Sequence, residues 1–193
     1  RHIGERPYRC NDRAAAAVRT LLRVVEFWIP EESSGEIVTL GELEATPLQT
    51  GIARWRALRG LRHFPELSDA VVAAVSANAF LVQVVDDDYQ FRSVGSALVP
   101  GFDEDFSGLR LSVLALRRPR FGIGLRMLYD MVRSSGEPMG YRGWVGKDMP
   151  GALFVYHENA ILPFGIDEAQ VDHLVVVTAL VPSQGIFPRP GEQ

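Results

Sequence analysis

Ala79 to Val85 forms a nearly continuous apolar run, Asp86-Asp87-Asp88 interrupts it, and Tyr89 to Gly95 resumes with aromatic and β-branched residues. That arrangement specifies a β-hairpin. Bulky apolar side chains suit a pleated strand, and consecutive aspartates suit the turn between two strands. A hairpin buries its apolar face only against further strands or a covering helix. The rest of the chain has to supply both.

Asn11 or Asp12 is placed to cap a helix from Arg13 to Ile29, where Val18, Leu21, Leu22, Val25 and Ile29 share one face and Pro30 follows. Glu31-Glu32-Ser33-Ser34-Gly35 is polar and reads as a linker or loop. Pro47 suits the first turn of a second helix that runs to about Arg59, with Gly60 as its C-terminal cap. The pattern then predicts a short helix from Leu67 to Ser76 and helical turns over Ser96 to Phe102 and Leu109 to Leu116. A longer helix runs from Pro119 to about Ser134, with Phe121, Leu125, Leu128 and Val132 at helical spacing, and Gly136-Glu137-Pro138 ends it. Met139 to Val145, Ala152 to Pro163 and Asp172 to Pro182 read as three more strands, before a Pro- and Gly-containing tail from Ser183 that reads as frayed.

Short loops between sequential strands favour antiparallel pairing. The expected fold is α+β, a five-stranded antiparallel sheet covered on one face by helices, with an N-terminal helical extension. Residues 1–46 would form the lead, helix and linker, residues 47–182 the folded domain, and residues 183–193 a flexible tail.

Composition narrows the function. With 193 residues, 47% hydrophobic and 23% charged, the chain can build one sizeable core without staples. The single cysteine, Cys10, can neither form an internal disulfide nor complete a Cys-based zinc site. A net charge of −4 argues against broad nucleic-acid binding, which needs a clustered positive surface. No run of about 18 apolar residues suggests a membrane span, and the charged N-terminus is not followed by a leader-type apolar block. The expectation is a cytoplasmic protein with neither nucleic-acid nor membrane partners.

An ordered set of short segments between Leu48 and Val181 resembles a known family. It comprises Trp55-Arg56-Ala57-Leu58-Arg59-Gly60 with Phe64-Pro65, Phe80 to Val85 with its acidic turn, and Tyr89 to Leu98. Phe102, Asp105 and Ser107-Gly108 follow, then Tyr156 with Ile161-Leu162-Pro163-Phe164, and Val171-Asp172 before the closing apolar strand. Together these segments resemble a bacterial PAS-like family of small, often stand-alone domains. The resemblance implies a five-stranded antiparallel sheet, helices enclosing a potential ligand cavity, and a sensory or regulatory role that is often exercised through dimers.

Several motifs look more chemical than they are. Gly4-Glu5-Arg6-Pro7-Tyr8-Arg9-Cys10 looks like the linker between zinc fingers, but a finger needs a second cysteine and the chain has none. Gly143-Trp144-Val145-Gly146-Lys147-Asp148 lacks the first glycine of a phosphate loop, because Tyr141 occupies that place, and Asp148 stands where Ser or Thr belongs. Gly122-Ile123-Gly124 has no preceding strand, so close helix packing explains it better than dinucleotide binding. No Gly-x-Ser-x-Gly elbow occurs.

Six residues are candidates for a ligand site. His157 and Asn159 share one strand face while Tyr156 and Glu158 share the other, and His157 is placed to share a face with the last strand, which begins near His173. A structural role for His157 is the plainer reading, a ligand or metal role the sharper one. Arg92 lies mid-strand beside Phe91. A buried guanidinium needs a partner, which Asp105 or Glu158 would provide, unless the arginine instead meets an anionic ligand in a cavity. Tyr141, Trp144 and Tyr156, with Arg142, would bring aromatic and polar groups to such a cavity, conditional on the fold.

The function expected from these readings is non-catalytic sensing. A small molecule of unidentified chemistry would bind between sheet and helices and bias a protein partner, with a homodimer formed through residues 13–29 and no metal required. The alternative is a ligand-free interaction module, its core closed by Phe91, Phe121, Met127 and Trp144. A small hydrolase or metal enzyme, with His157 beside a carboxylate, is the third reading.

Overall fold

A computed structural model describes residues 32–68, 76–146, 151–167 and 169–182. The helix expected at 13–29, most of the one at 67–76 and the tail from 183 lie outside the described residues. Strand β1 spans Ser34–Val38 and helix α1 Thr46–Arg59. The hairpin strands are β2 (Ala79–Val85) and β3 (Asp88–Val94). Helices α2 (Val99–Phe102), α3 (Leu111–Arg117) and α4 (Pro119–Ser135) follow, then β4 (Met139–Trp144), β5 (Phe154–Phe164) and β6 (His173–Pro182). The protein is α+β, with one six-stranded sheet in the order β1-β4-β5-β6-β2-β3 and every neighbouring pair antiparallel.

Local chemistry explains most boundaries. Val85 pairs with Asp88 across a two-residue turn, and Asp86 takes the left-handed conformation at φ 57 that short polar side chains tolerate. Helix α4 begins at a proline and ends at Gly136, whose φ of 67 lets its N–H return to the Val132 carbonyl at 2.8 Å. Helix α1 likewise stops at Gly60, at φ 55.

Two expectations need correction. The sheet has six strands, not five, because residues 34–38, read as part of a linker, pair with β4. Gly140 and Gly143 permit this: a Cβ at either would collide with the β1 carbonyls of Val38 or Ser34. Most β1 side chains stay exposed, so the strand is held by main-chain pairing and carries little apolar alternation. Glu36 adds a hydrogen bond, accepted from Arg142 Nε at 2.7 Å.

Helices also cover both faces rather than one. Gly51 of α1 packs against the side chain of Val177, and Trp55 donates its indole N–H to the Pro163 carbonyl at 2.8 Å. Val176 and Thr178, one residue either side of Val177, face a space roofed by α4. Alternation along a strand therefore puts α1 and α4 on opposite faces. The central strands are buried on both sides, which accounts for the unbroken apolar run Leu174–Val177.

Asp88 ties the hairpin to the helices. Its carboxylate accepts hydrogen bonds from Tyr89 N at 2.8 Å and from the Ser112 hydroxyl at 2.6 Å at the start of α3, and Arg126 of α4 lies 3.4 Å away. Tyr89 donates its hydroxyl to Asp130 of α4 at 2.6 Å. These bonds fix α4 over the sheet.

Candidate functional site: a cavity between the sheet and α4

A cavity of about 270 Å³ separates the sheet from α4. Its floor comes from β2, β4, β5 and β6 through Phe80, Tyr141, His157, Asn159, Ile161, Val176, Thr178 and Leu180. The register explains the set: Tyr141 pairs with Asn159, Asn159 with Thr178, His157 with Leu180 and Ile161 with Val176, so all face one way. The roof is α4, through Phe121, Gly124, Leu125, Leu128 and Tyr129. One end is closed by aromatic rings, where Phe102 stands 5.0 Å from Phe154, 5.5 Å from Phe121 and 5.7 Å from Phe80 between centroids. Ser33, Ser34 and Gly35 complete the wall beside Tyr141 and Trp144.

The polar groups divide into a satisfied set and an open set. Thr178 donates its hydroxyl to Asn159 Oδ1 at 2.9 Å, and Asn159 Nδ2 reaches the Tyr141 carbonyl at 3.5 Å and His157 Nδ1 at 2.7 Å. A carbonyl can only accept, so the amide nitrogen is the donor on that side and Nδ1 of His157 is an acceptor. The neutral imidazole then carries its proton on Nε2. That N–H makes no hydrogen bond with the described residues. Burial lowers the His157 pKa from 6.5 to about 4, so the ring is uncharged near neutrality.

Tyr129 is fully buried, and its hydroxyl has no hydrogen-bond partner among the described residues. Burial raises its pKa, the neighbouring Tyr89 raises it further, and the group stays a neutral O–H. Tyr141 is also pushed upward by burial. An unpaired buried hydroxyl costs about 1–3 kcal/mol.

Of the six candidate residues, Tyr141, Trp144 and His157 line the cavity. Phe91, Arg92 and Tyr156 do not. Phe91 is buried in the core, 5.8 Å from Phe80 and 5.9 Å from Phe106 between ring centroids. Arg92 is exposed and lies near Gln90 Oε1 at 3.4 Å, so neither the expected partners Asp105 and Glu158 nor the cavity holds it. It falls on the outward face of the sheet's edge strand β3, where a guanidinium stays in water. Tyr156 faces away with Glu158, as alternation requires, and its ring packs 4.9 Å from Trp144. Arg142 is likewise turned outward, to Glu36.

His157 and His173 are not neighbours. His157 pairs with Leu180, while His173 pairs with Phe164 near the far end of β5 and bonds Asp172 at 2.6 Å. The metal-enzyme reading expected His157 beside a carboxylate; its Nδ1 partner is the Asn159 amide. Among the described residues no group of three or more His, Cys, Asp or Glu is placed to hold a metal ion.

Sequence reasoning missed Tyr129, Thr178 and Ser33 to Gly35 as wall residues. Tyr129 lies four residues after Leu125 on the apolar stripe of α4, and Thr178 is a single hydroxyl inside an apolar run, so both left a trace. The β1 residues left none. No helix among the described residues is long and apolar enough to cross a membrane. In comparisons with known proteins, no family model, no curated protein and no solved structure matches this chain.

Proposed function

We propose that this chain is a PAS-like sensory or regulatory domain that binds a small molecule between its sheet and α4 and acts through a protein partner without catalysing a reaction. The observation that carries the reading is the cavity of about 270 Å³, lined mostly by apolar side chains and faced by the neutral donor of His157. Voids cost stability, so a domain selected for surface contact alone gains by filling one. Phe121 and Trp144, nominated to close the core of an interaction module, stand along the cavity wall, and Met127, nominated with them, is 58% exposed. The resemblance of residues 48–181 to PAS-like domains agrees with this reading, as does a sheet roofed by a long helix.

Ser33 to Gly35 give the cavity a route outward. Ser33 directly precedes the edge strand β1 and Ser34 and Gly35 open it, so an occupant touching them also touches the chain leading to residues 13–29, where we place the dimer contact. Differential affinity for two positions of that segment would constitute the signal.

One observation favours an interaction role as well. Ile123, Met127 and Met131 are exposed along the outer side of α4, at 65%, 58% and 40% of their full area. Residues spaced by four form one stripe on a helix. Native mass spectrometry of the freshly isolated full chain tests both readings, because it reports bound small molecules and subunit count together. A bound small molecule supports sensing. A ligand-free oligomer that no small molecule stabilises supports the interaction module and overturns sensing.

A further inference from the structure

We propose that the cavity takes a small uncharged molecule, apolar over most of its surface, that carries one carbonyl-type oxygen accepting the His157 Nε2–H. The inference rests on the sensory reading above and specifies its ligand.

The wall dictates the class by elimination. Phe80, Phe102, Phe121, Leu125, Ile161 and Val176 offer a ligand only apolar surface, so most of the occupant has to be apolar. Asn159 and Thr178 line the cavity too, but they are committed to one another, to the Tyr141 carbonyl and to His157 Nδ1. The amide orientation leaves His157 with its proton on Nε2, a donor and not an acceptor. A donor left over in a largely apolar cavity calls for an acceptor on the ligand.

Charge on the ligand is disfavoured in either sign. No carboxylate occurs among the described lining residues, so an ammonium group would be buried unpaired. Arg120 is the one guanidinium among them; it is exposed and engaged in an interaction of its own. An anionic head would therefore face a neutral imidazole and hydroxyls. An uncharged carbonyl satisfies the same donors without the desolvation cost of a buried charge.

Three probes of nearly equal size separate the possibilities: acetophenone (neutral acceptor), isopropylbenzene (no acceptor) and benzoate (anion). Each is titrated calorimetrically into the full chain near pH 7. Acetophenone is expected to bind at least tenfold more tightly than either of the others. His157→Leu is expected to erase the preference over isopropylbenzene to within threefold, and His157→Gln, which keeps a donor near the Nε2 position, to retain most of it. Circular dichroism confirms that each variant is folded, and His157→Phe, expected to erase the preference likewise, provides a second arm should His157→Leu fail to fold. Isopropylbenzene or benzoate binding as tightly as acetophenone overturns the acceptor assignment while leaving the cavity reading intact. No binding by any of the three, together with a ligand-free mass spectrum, overturns both.

Discussion

Asn159 donates its amide to Nδ1 of His157 at 2.7 Å, two residues away on the same strand face. This bond sets the tautomer of the one imidazole in the cavity wall and so decides which proton a ligand meets. Replacing Asn159 by Asp puts a carboxylate at the same place. An opposite charge within hydrogen-bonding reach favours the imidazolium, so the His157 pKa is expected to rise from about 4 by one or more units. NMR titration of the His157 ring protons measures the change. An unchanged pKa in Asn159→Asp would refute the pairing.

The lowered pKa of His157 makes stability depend on pH. A base that titrates at about 4 when folded and near 6.5 when unfolded takes up protons preferentially in the unfolded chain between those values. Stability from this group is thus complete above pH 6.5, declines as pH falls, and levels off below about pH 4. The full loss is on the order of 3 kcal/mol, an upper bound because His157 is only partly buried by accessible area. Urea unfolding between about pH 7.5 and about pH 4.5 should show a flatter profile for His157→Gln than for the parent chain. Parallel profiles would show that His157 titrates normally.

Gly124 offers a way to fill the cavity without forcing the backbone. It lines the space from α4, and a Cβ at that position meets nothing within 4 Å. Gly124→Ala is expected to stabilise the protein by about 0.5–1 kcal/mol, since glycine inside a helix carries an entropic penalty. Gly124→Phe should keep a cooperative thermal transition and displace the ligand. If Gly124→Phe binds as well as the parent chain, the occupied site is elsewhere.

Gly35 and Tyr141 are coupled across β1 and β4. The Tyr141 hydroxyl lies where a Gly35 side chain would begin, well inside contact distance. Gly35→Ala should therefore destabilise the parent chain by about 1–2 kcal/mol, and much less in a Tyr141→Ala background. A double-mutant cycle with no coupling would place the ring elsewhere.

Asp88 holds the hairpin, α3 and α4 together through one buried carboxylate. Its replacement by Ala strands the Ser112 hydroxyl and the Tyr89 N–H, at an expected cost of about 2–4 kcal/mol. Asp88→Asn retains one acceptor and should cost less. Denaturant midpoints compare them directly, and equal losses would show that the carboxylate acts through charge alone.

The sequence by itself determined the local elements. Proline and glycine at the ends of α1 and α4 marked those helices because backbone dihedral limits act within a few residues. The aspartates at 86–88 marked the hairpin turn for the same reason, although the burial of Asp88 was not visible. Alternation also separated His157 and Asn159 from Tyr156 correctly, since the two-residue period of a strand is independent of what lies on either side. Tertiary structure decided the rest. Strand β1 exists because Gly140 and Gly143 let its main chain approach β4, which no property of residues 34–38 announces. Arg92 stays in water because β3 is the sheet edge, and α1 crosses to the opposite face from α4. The cavity likewise depends on where α4 comes to rest, since a void is the distance between elements and no single segment encodes it.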